Sequence, residues 1–392
     1  MLINYTDERV STEAMQSACF MVSIIVLCWN AEKWIDKCFP SIRRQTYKNI
    51  ELIVVNNAST DRSKEIIKAD FSDLSPIIIE NPANFGFAKA MNQGIAASTG
   101  EFIFALNMDV VLEPDYIEKL AKAFDDPKVG SATGKLFRPP EMFGGKKVFD
   151  TTGHVFLASR SVYNRGGLEE DLGQYDDERE IFGVCAAAAL YRRKMLEDVK
   201  MGNEYFDEDY FAYYEDVDLD WRAINAGWKS VFVPEAVGSH YKRAFSKTVD
   251  KEMTINSNRN KYLTILKNDS MINYLMDLPI IAAYNLNYLL YAHFKDYGAF
   301  FTTIIKKIVT TPKAIYKRFR LIKKRKISPL AFKKYIVYEK EAIIKARNLI
   351  ISITAFIIAA FYINYLYLLA AFIGIFFVLN PAIYHLKGGK IK

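Results

Sequence analysis

Four short apolar runs recur at nearly even intervals in the first 109 residues, and this spacing restricts the fold more than any other feature of the chain. The runs are Val22–Leu27, Ile50–Val55, Ser75–Glu80 and Glu101–Leu106, each of strand length. The segments between them read as helices. Ala31–Gln45 sets Trp34, Cys38 and Ile42 at helical spacing, a second helix runs from a cap at Thr60 or Asp61 to about Asp70, and a third covers Phe87–Ser98 with Gly100 beyond its end. Strands separated by single helices make βαβ units and a parallel sheet buried on both faces. In such sheets ligands gather beyond the carboxyl ends of the strands. Asn30, Asn56 to Asp61, Asn84, Asn107 and Asp109 all fall there.

The alternation stops after about Leu136. Residues 137–180 are polar and Gly-rich, suited to a substrate-facing insertion. Ile181–Arg193, with Ala186–Ala189 inside it, reads as a packed helix or strand of little bulk. Phe206–Gly227 holds the densest acids, and a strand at Ser230–Val233 leads into a polar turn with His240. Pro279 is placed to open a helix whose Tyr284, Tyr288 and Tyr291 suit a membrane interface.

Charge is divided unevenly. The net +7 resolves into −9 over residues 1–305, +13 over 306–347 and +3 over 348–392. An acidic body with a basic collar is not the pattern of a protein that wraps nucleic acid with its whole surface. Behind the collar, Asn348 to Tyr384 carries no charged residue. As one helix it would reach ~55 Å, against a hydrocarbon core of ~30 Å. Asn364 and Pro381 divide it into legs at about 349–363 and 365–380, a transmembrane or re-entrant hairpin, with one tilted span as the alternative. Lys and Arg at both flanks put both ends on the cytoplasmic side. Residues 1–20 mix Asp7, Glu8, Arg9 and Glu13 with small polar residues and read as an extension, not a cleavable leader. Cys19, Cys28, Cys38 and Cys185 form no C-x-x-C pair and read as reduced thiols. The expected units are a 1–20 extension, a 21–245 catalytic domain, a 246–347 helical, basic membrane-surface region, and a 348–392 hydrophobic segment with a basic tail.

Four features carry chemistry. Asn107-Met108-Asp109 closes the fourth strand, where an Asp is a ligand for Mg²⁺ or Mn²⁺ or a turn acid. Tyr213–Leu219 sets Glu215, Asp216 and Asp218 among aromatic and apolar residues, where a carboxylate gains proton affinity and suits a general base. On a helix, Glu215 and Asp218 share a face while Asp216 projects elsewhere, toward a cleft. His240 is a metal ligand or a structural imidazole. Asn84–Gly94 feeds a glycine turn into a helix whose N-terminus can cradle phosphate, although it is not G-x-G-x-x-G.

In this order, Val22–Asn30, Val55–Asp61, Asn84–Gly94, Leu106–Asp109, Gly183–Arg193, Phe206–Arg222 with Ala226-Gly227-Trp228, and Pro234–His240 resemble a family 2 glycosyltransferase of the GT-A fold, in its rhamnosyltransferase-like branch. The resemblance covers about residues 21–267. It implies an α/β, Rossmann-like and mostly parallel catalytic domain, followed here by basic amphipathic helices and the hydrophobic segment. It also implies a nucleotide-sugar donor, a divalent metal and inversion at the anomeric carbon. Its donor contacts map onto Trp29, Asn30, Asn56, Ser59, Asp61, Asn84 and Lys89. Its metal motif maps onto Asn107 and Asp109, its second metal contact onto His240, and its base onto Asp216, with Glu215 and Asp218 the alternatives. Asn56 stands where many relatives have Asp, and Asn107 where an acid is usual.

The expected reaction moves L-rhamnose from dTDP-rhamnose; galactofuranosyl or glucosyl transfer from a UDP-sugar is the alternative. An anchored enzyme gains most from an anchored acceptor. The expected acceptor is therefore a polyprenyl-diphosphate-linked saccharide at the cytoplasmic face of the membrane, in cell-surface polysaccharide assembly. A catalytically silent membrane-tethered nucleotide-binding module would not need Glu215-Asp216 and His240 together. A processive synthase would carry Gln-x-x-Arg-Trp, which does not occur.

Overall fold

The computed structural model describes residues 20–242, 251–285, 297–360 and 373–375. Strand β1 (Val22–Cys28) lies between β2 (Ile50–Asn56) and β4 (Phe102–Asn107), with β3 (Ile77–Glu80) outside β2, and all three pairings are parallel. Helices α1 (Glu32–Arg43), α2 (Ser63–Asp70) and α3 (Gly86–Ala97) make the crossovers. Side chains alternate between the faces with the strand period of two. Val22, Ile24, Val26, Phe102, Phe104 and Leu106 meet Ile35, Phe39 and Ile42 of α1 on one face. Ile25, Ile103 and Ala105 meet Ala88, Met91 and Ile95 of α3 on the other.

Beyond β4 the sheet is mixed, which corrects the expectation of a mostly parallel one. The remaining elements are β5 (Val110–Leu112), α4 (Tyr116–Lys122), β6 (Val129–Phe137), β7 (Phe149–Thr151), β10 (Glu180–Ile181), β11 (Ala188–Arg192), α5 (Arg193–Val199), α6 (Glu215–Asn225) and β12 (Lys229–His240). The strand order is β10-β12-β6-β11-β4-β1-β2-β3, with β5 on β12 and β7 on β6. Strand β11 runs antiparallel to both β4 and β6. The chain reaches it through the 137–187 insertion, which reverses direction without a crossover helix, so a parallel pairing is not available. Ala188–Arg192 is therefore a strand, and Ala186 and Ala187 belong to the loop entering it.

His240 also differs from expectation. It ends a 12-residue strand instead of sitting in a turn after a short one. Pro234 interrupts the ladder, and the pairing with β6 shifts register between Val233 and Val237, the kind of bulge that lets a strand carry proline. Past the bulge, β12 pairs with β5, His240 opposite Val110.

The insertion builds a second sheet, β8 (His154–Leu157) with β9 (Val162–Asn164), and β13 (Ile336–Val337) from the basic region pairs with β8. Trp221 of α6 stacks on Phe332 at 5.5 Å and meets Phe156 edge-on at 4.6 Å. Each such buried side chain is worth roughly 1.5–3 kcal/mol, so the basic region is fastened to the catalytic domain. Helices α7 (Lys251–Asn268) and α8 (Tyr297–Ile322) pack side by side. Several collar charges face the acids of residues 204–209. The Lys317 ammonium reaches Asp207, Asp209 and Glu204 at 2.5, 2.8 and 3.3 Å, and Lys313 pairs with Asp209. The collar is thus partly spent inside the protein. The outer face of α8 is still apolar, with Phe301, Ile305, Ile308, Tyr316 and Phe319 exposed.

Helix α9 (Lys340–Ala360) runs through residue 348, so the uncharged run begins inside a helix that starts in the collar. Among the described residues no helix is long and apolar enough to cross a membrane. Most of the expected hairpin, Tyr288, Tyr291 and residues 1–19 lie outside the described residues.

Candidate active site

The loops beyond β1 and β2 are sewn together. Asn30 takes φ +48°; its N–H donates to Ser59 Oγ at 3.1 Å and its Oδ1 accepts from the Thr60 N–H at 2.8 Å. Asp61 closes two helix N-termini at once, accepting from the Glu32 N–H at 3.0 Å and the Ser63 N–H at 3.1 Å. Burial pushes its carboxyl up, but the hydrogen bonds from Ser63 and Glu32 outweigh that and hold it below the usual range. Trp29 is 45% exposed at the rim.

Other expected donor contacts face inward. Asn56 is buried and uses both ends of its amide, Nδ2 donating to Glu80 at 3.1 Å and Oδ1 accepting from the Ser59 N–H at 3.1 Å. Asn84 Oδ1 accepts from Asn57 Nδ2 at 3.0 Å and from the Gly86 N–H at 2.9 Å. Lys89 holds its ammonium 4.2 Å from the Phe85 ring centre. The phosphate cradle expected at the start of α3 is filled by protein: the Phe87 and Ala88 N–H groups donate to the Phe211 carbonyl at 2.6 and 3.4 Å. Gly86, at φ +79°, is required there because a Cβ would lie 2.4 Å from that carbonyl oxygen.

Phe211 opens the turn that carries the acids. Phe211, Tyr213 and Tyr214 all have positive φ, at 60°, 71° and 71°, a conformation that costs a non-glycine residue about 1–2 kcal/mol. Asn260 of α7 holds this turn, its Nδ2 lying 3.0, 2.9 and 2.7 Å from the carbonyls of Tyr210, Ala212 and Tyr213. Glu215 begins α6 and is buried, and its Oε2 has no hydrogen-bond partner among the described residues. Burial, then the neighbouring Asp216 charge, pushes its carboxyl well above the usual range. Asp218 is fully buried in a separate network, bonded to Arg222 at 2.9 Å, Lys267 at 2.8 Å and Asn268 at 2.7 Å. It fastens α6 to α7, so of the three acids it has the fewest means of reaching a substrate. Asp216 alone keeps a partly open carboxylate, with 16% of its side chain exposed.

Asp216 Oδ2 accepts from the Ala186 N–H at 3.3 Å and lies 3.7 Å from His154 Nε2. The other ring nitrogen of His154 meets Asp220 at 3.1 Å. Burial disfavours the imidazolium, but Asp216 and Asp220 outweigh it and raise the His154 pKa well above its ordinary value. Burial pushes the Asp220 carboxyl up to about 7 against the pull of His154. Asp220 also accepts from the Val184 N–H at 3.0 Å, and a Cβ on Gly183 would lie 2.0 Å from its carboxylate. Sequence reasoning missed His154 and Asp220. The signal available was Gly183, whose lack of a side chain makes room for Asp220.

Asp109 and His240 meet as expected. His240 Nε2 lies 3.4 Å from Asp109 Oδ1, and Nδ1 lies 2.8 Å from buried Asp150. Burial lowers the His240 pKa, but hydrogen bonds to Asp109 and Asp150 outweigh it and the net shift is upward. Burial raises Asp150, but His240 and Lys242 outweigh it and bring its carboxyl down to about 2. This set fits a divalent cation. An Nδ1–H donated to Asp150 turns the Nε2 lone pair toward Asp109, the usual support of a ligating histidine. One imidazole and one carboxylate would hold such a cation with substrate oxygens completing the shell.

His154, Cys185 and Asp216 also bring ligand atoms within 4.8 Å of one another.

The two centres share a loop. The Asn107 N–H donates to the Ala187 carbonyl at 2.9 Å, and the Ala186 N–H donates to Asp216. Adjacent residues thus bind the strand end that leads to Asp109 and the acid of α6, and consecutive Cα atoms lie only ~3.8 Å apart.

A parallel half-sheet with polar loops at its carboxyl ends, an Asp/His pair beyond β4 and one accessible acid joined to it by a shared loop form an arrangement of the GT-A kind. Residues 23–200 match the family described as glycosyl transferase family 2. Glycosyltransferase GlyA of Streptococcus pneumoniae is 30% identical over 189 residues, 48% of this chain and 27% of that protein, so the match spans under a third of that relative's length. The N-acetylglucosaminyl-diphospho-decaprenol L-rhamnosyltransferase of Mycobacterium tuberculosis is 26% identical over 251 residues, 57% of this chain and 76% of that one. S. aureus TarS 1-349 in complex with UDP-GlcNAc shares the fold, with a TM-score of 0.52 at 17% identity over 95% of this chain and 94% of that one. GalNAc-T7 with UDP, GalNAc and Mn²⁺ shares it at 0.53 and 10% identity, over 68% of this chain and 51% of that one.

Proposed function

We propose that this chain is an inverting, metal-dependent glycosyltransferase that moves a sugar from a nucleoside diphosphate onto a lipid-linked saccharide. The observation that carries the reading is the two-residue bridge of Ala186 and Ala187, which joins the Asp109 strand end to Asp216. In the reaction the acceptor oxygen bonds to the anomeric carbon, that carbon's bond to the diphosphate oxygen breaks, and the nucleoside diphosphate leaves. Asp216 takes the acceptor hydroxyl proton as the new bond forms. His154, kept cationic between Asp216 and Asp220, holds the Asp216 carboxylate in place. Asp109 and His240 would hold the divalent cation, which when bound stabilises the negative charge growing on the diphosphate. Trp29, Asn30, Ser59 and Asp61 line the donor side.

The donor we favour is dTDP-L-rhamnose. Its support is the mycobacterial relative, itself named a rhamnosyltransferase. A UDP-sugar is the second reading, favoured by the UDP-GlcNAc complex of TarS. The same mycobacterial name supports a polyprenyl-diphosphate acceptor, and the exposed apolar face of α8 supports work at a membrane, on its cytoplasmic side. Purified full-length chain, a panel of nucleotide sugars and a prenyl-diphosphate-linked N-acetylglucosamine acceptor, with and without Mn²⁺, provide the test. Metal-dependent transfer of one sugar is expected. Transfer that is indifferent to chelator, or that proceeds only to soluble acceptors, would defeat the reading.

A further inference from the structure

A cavity of about 560 Å³ lies between the turn that carries the acids and helices α7 and α8, within the ~300–1,000 Å³ range of small-molecule sites. Tyr214 lines it, one residue before Glu215 and two before Asp216. Two lysines from different helices also line it, Lys261 and Lys307. The Lys261 ammonium donates to Ser161 Oγ at 2.7 Å and lies 4.6 Å from the Tyr284 ring centre. The Lys307 ammonium lies 5.5 Å from the Tyr262 ring centre. Neither has a carboxylate within ion-pair distance among the described residues. The one carboxylate among the described lining residues, Asp269, is bonded to Arg160 at 2.7 Å. Burial pushes both ammonium groups down, Lys261 to about 7 with help from the neighbouring Lys307 charge. Other lysines of this region found acids: Lys267 and Lys317 both reach Asp207. Arg318, which donates to the Leu266 carbonyl at 2.6 Å, is a third basic side chain in the lining, and among the described residues this excess of positive charge over one already paired carboxylate is an arrangement that an anion completes.

The rest of the wall is not built for a free anion. Ile265, Ile281 and Met271 line it. From Met271 the apolar surface continues outward through exposed Ile272, Leu275 and Met276. A ligand matching both halves has a phosphate group attached to an apolar chain.

We propose that this cavity binds the phosphate-bearing end of a prenyl-linked acceptor, with phosphate between Lys261 and Lys307 and the first isoprene units against Ile265, Ile281 and Met271. The saccharide then reaches Asp216 past Tyr214. This rests on the transferase reading above and adds to it the place and the chemistry of acceptor recognition.

The test uses the full chain in detergent micelles with three probes: farnesyl diphosphate, farnesol and inorganic diphosphate. Calorimetry should show farnesyl diphosphate binding at least about tenfold more tightly than either half. The double variant Lys261→Gln/Lys307→Gln should weaken it about tenfold or more, while UDP binding with Mn²⁺, read on the same sample, is unchanged. Lys261→Arg/Lys307→Arg, which keeps both charges, should retain binding, and Lys307→Gln alone gives a milder variant if the double one does not fold. Equal affinity in wild type and Lys307→Gln, or inorganic diphosphate matching farnesyl diphosphate, would overturn the site; so would farnesol matching it. Unaltered transfer to a lipid-linked acceptor by the double variant would leave the transferase standing and remove the cavity from it. Charge-dependent farnesyl diphosphate binding without transfer to any lipid-linked acceptor would keep the site and refute the acceptor reading.

Discussion

His154 Nε2 lies 3.7 Å from the Asp216 carboxylate, while its other ring nitrogen meets Asp220 at 3.1 Å. The imidazole therefore spans from a buried acid to the one acid of its stretch that keeps an open side. Asp216→Asn retains size and loses the ability to take a proton. Turnover should fall by ~10²–10⁴ with donor affinity unchanged, measured by steady-state transfer and by UDP titration. Turnover near wild type would pass the role to Glu215.

His154 acts on the acceptor only through Asp216, so its removal should be milder and should appear in kcat. His154→Gln keeps a donor for Asp220 and removes the positive charge. A fall of about tenfold to a hundredfold in kcat is expected, on the scale of losing a positioning partner, with KM for the donor little changed. A matching rise in donor KM would instead mean that His154 shapes the nucleotide side.

Asn260 restrains the three positive-φ residues ahead of the acids through one amide. Asn260→Ala removes the amide from three carbonyls; that of Tyr210 keeps the Ala212 N–H at 2.6 Å, while those of Ala212 and Tyr213 lose this donor, at ~1 kcal/mol or more each. Urea unfolding should show a loss of about 2–4 kcal/mol, and residual folded enzyme should turn over more slowly because Tyr214 and Asp216 are no longer fixed. A loss below about 0.5 kcal/mol would mean that the turn holds itself.

The parallel half of the fold was legible because each strand there is apolar on both faces and each crossover helix repeats at 3.6 residues. Asn30, Asp61 and Asp109 were legible for the same reason, since strand ends locate them, whereas His240 was picked out as a residue but placed in a turn instead of at the end of β12. What lay beyond β4 was hidden by long-range pairing. The direction of β11 depends on where the 137–187 insertion returns, and no local pattern encodes that. His154 and Asp220 are 66 residues apart and meet only through the second sheet, so neither stood out from ordinary polar residues. Asn84 showed the opposite fault: its glycine turn looked like a phosphate cradle, but the Phe211 carbonyl, more than a hundred residues away, fills it.

The metal assignment separates ligands from their support. Asp109→Ala and His240→Ala should each abolish most of the Mn²⁺-dependent gain in nucleoside diphosphate affinity. Asp150→Asn leaves both ligands in place and removes the charge behind His240, so it should weaken Mn²⁺ dependence by only ~10–100-fold. Calorimetry with UDP and Mn²⁺ distinguishes these, and undiminished Mn²⁺ dependence in both alanine variants would place the cation elsewhere.

Glu215 gives a prediction about stability and pH. Its carboxyl is buried with an Oε2 that has no hydrogen-bond partner among the described residues, and burial together with the Asp216 charge raises its pKa in the folded chain. The folded state therefore holds this proton more tightly than the unfolded state, whose glutamate pKa is about 4.3. The resulting stabilisation is complete below that value and is lost as pH rises toward the folded pKa, at up to about 1.4 kcal/mol per pH unit. Glu215→Gln mimics the protonated acid and has no proton to lose. In urea unfolding at pH 5 and pH 8, wild type should lose more stability than Glu215→Gln between the two pH values, the difference being the contribution of this one group. Parallel curves for the two proteins would show that Glu215 ionises in the folded chain as readily as in water, and that its side chain is not sealed at the start of α6.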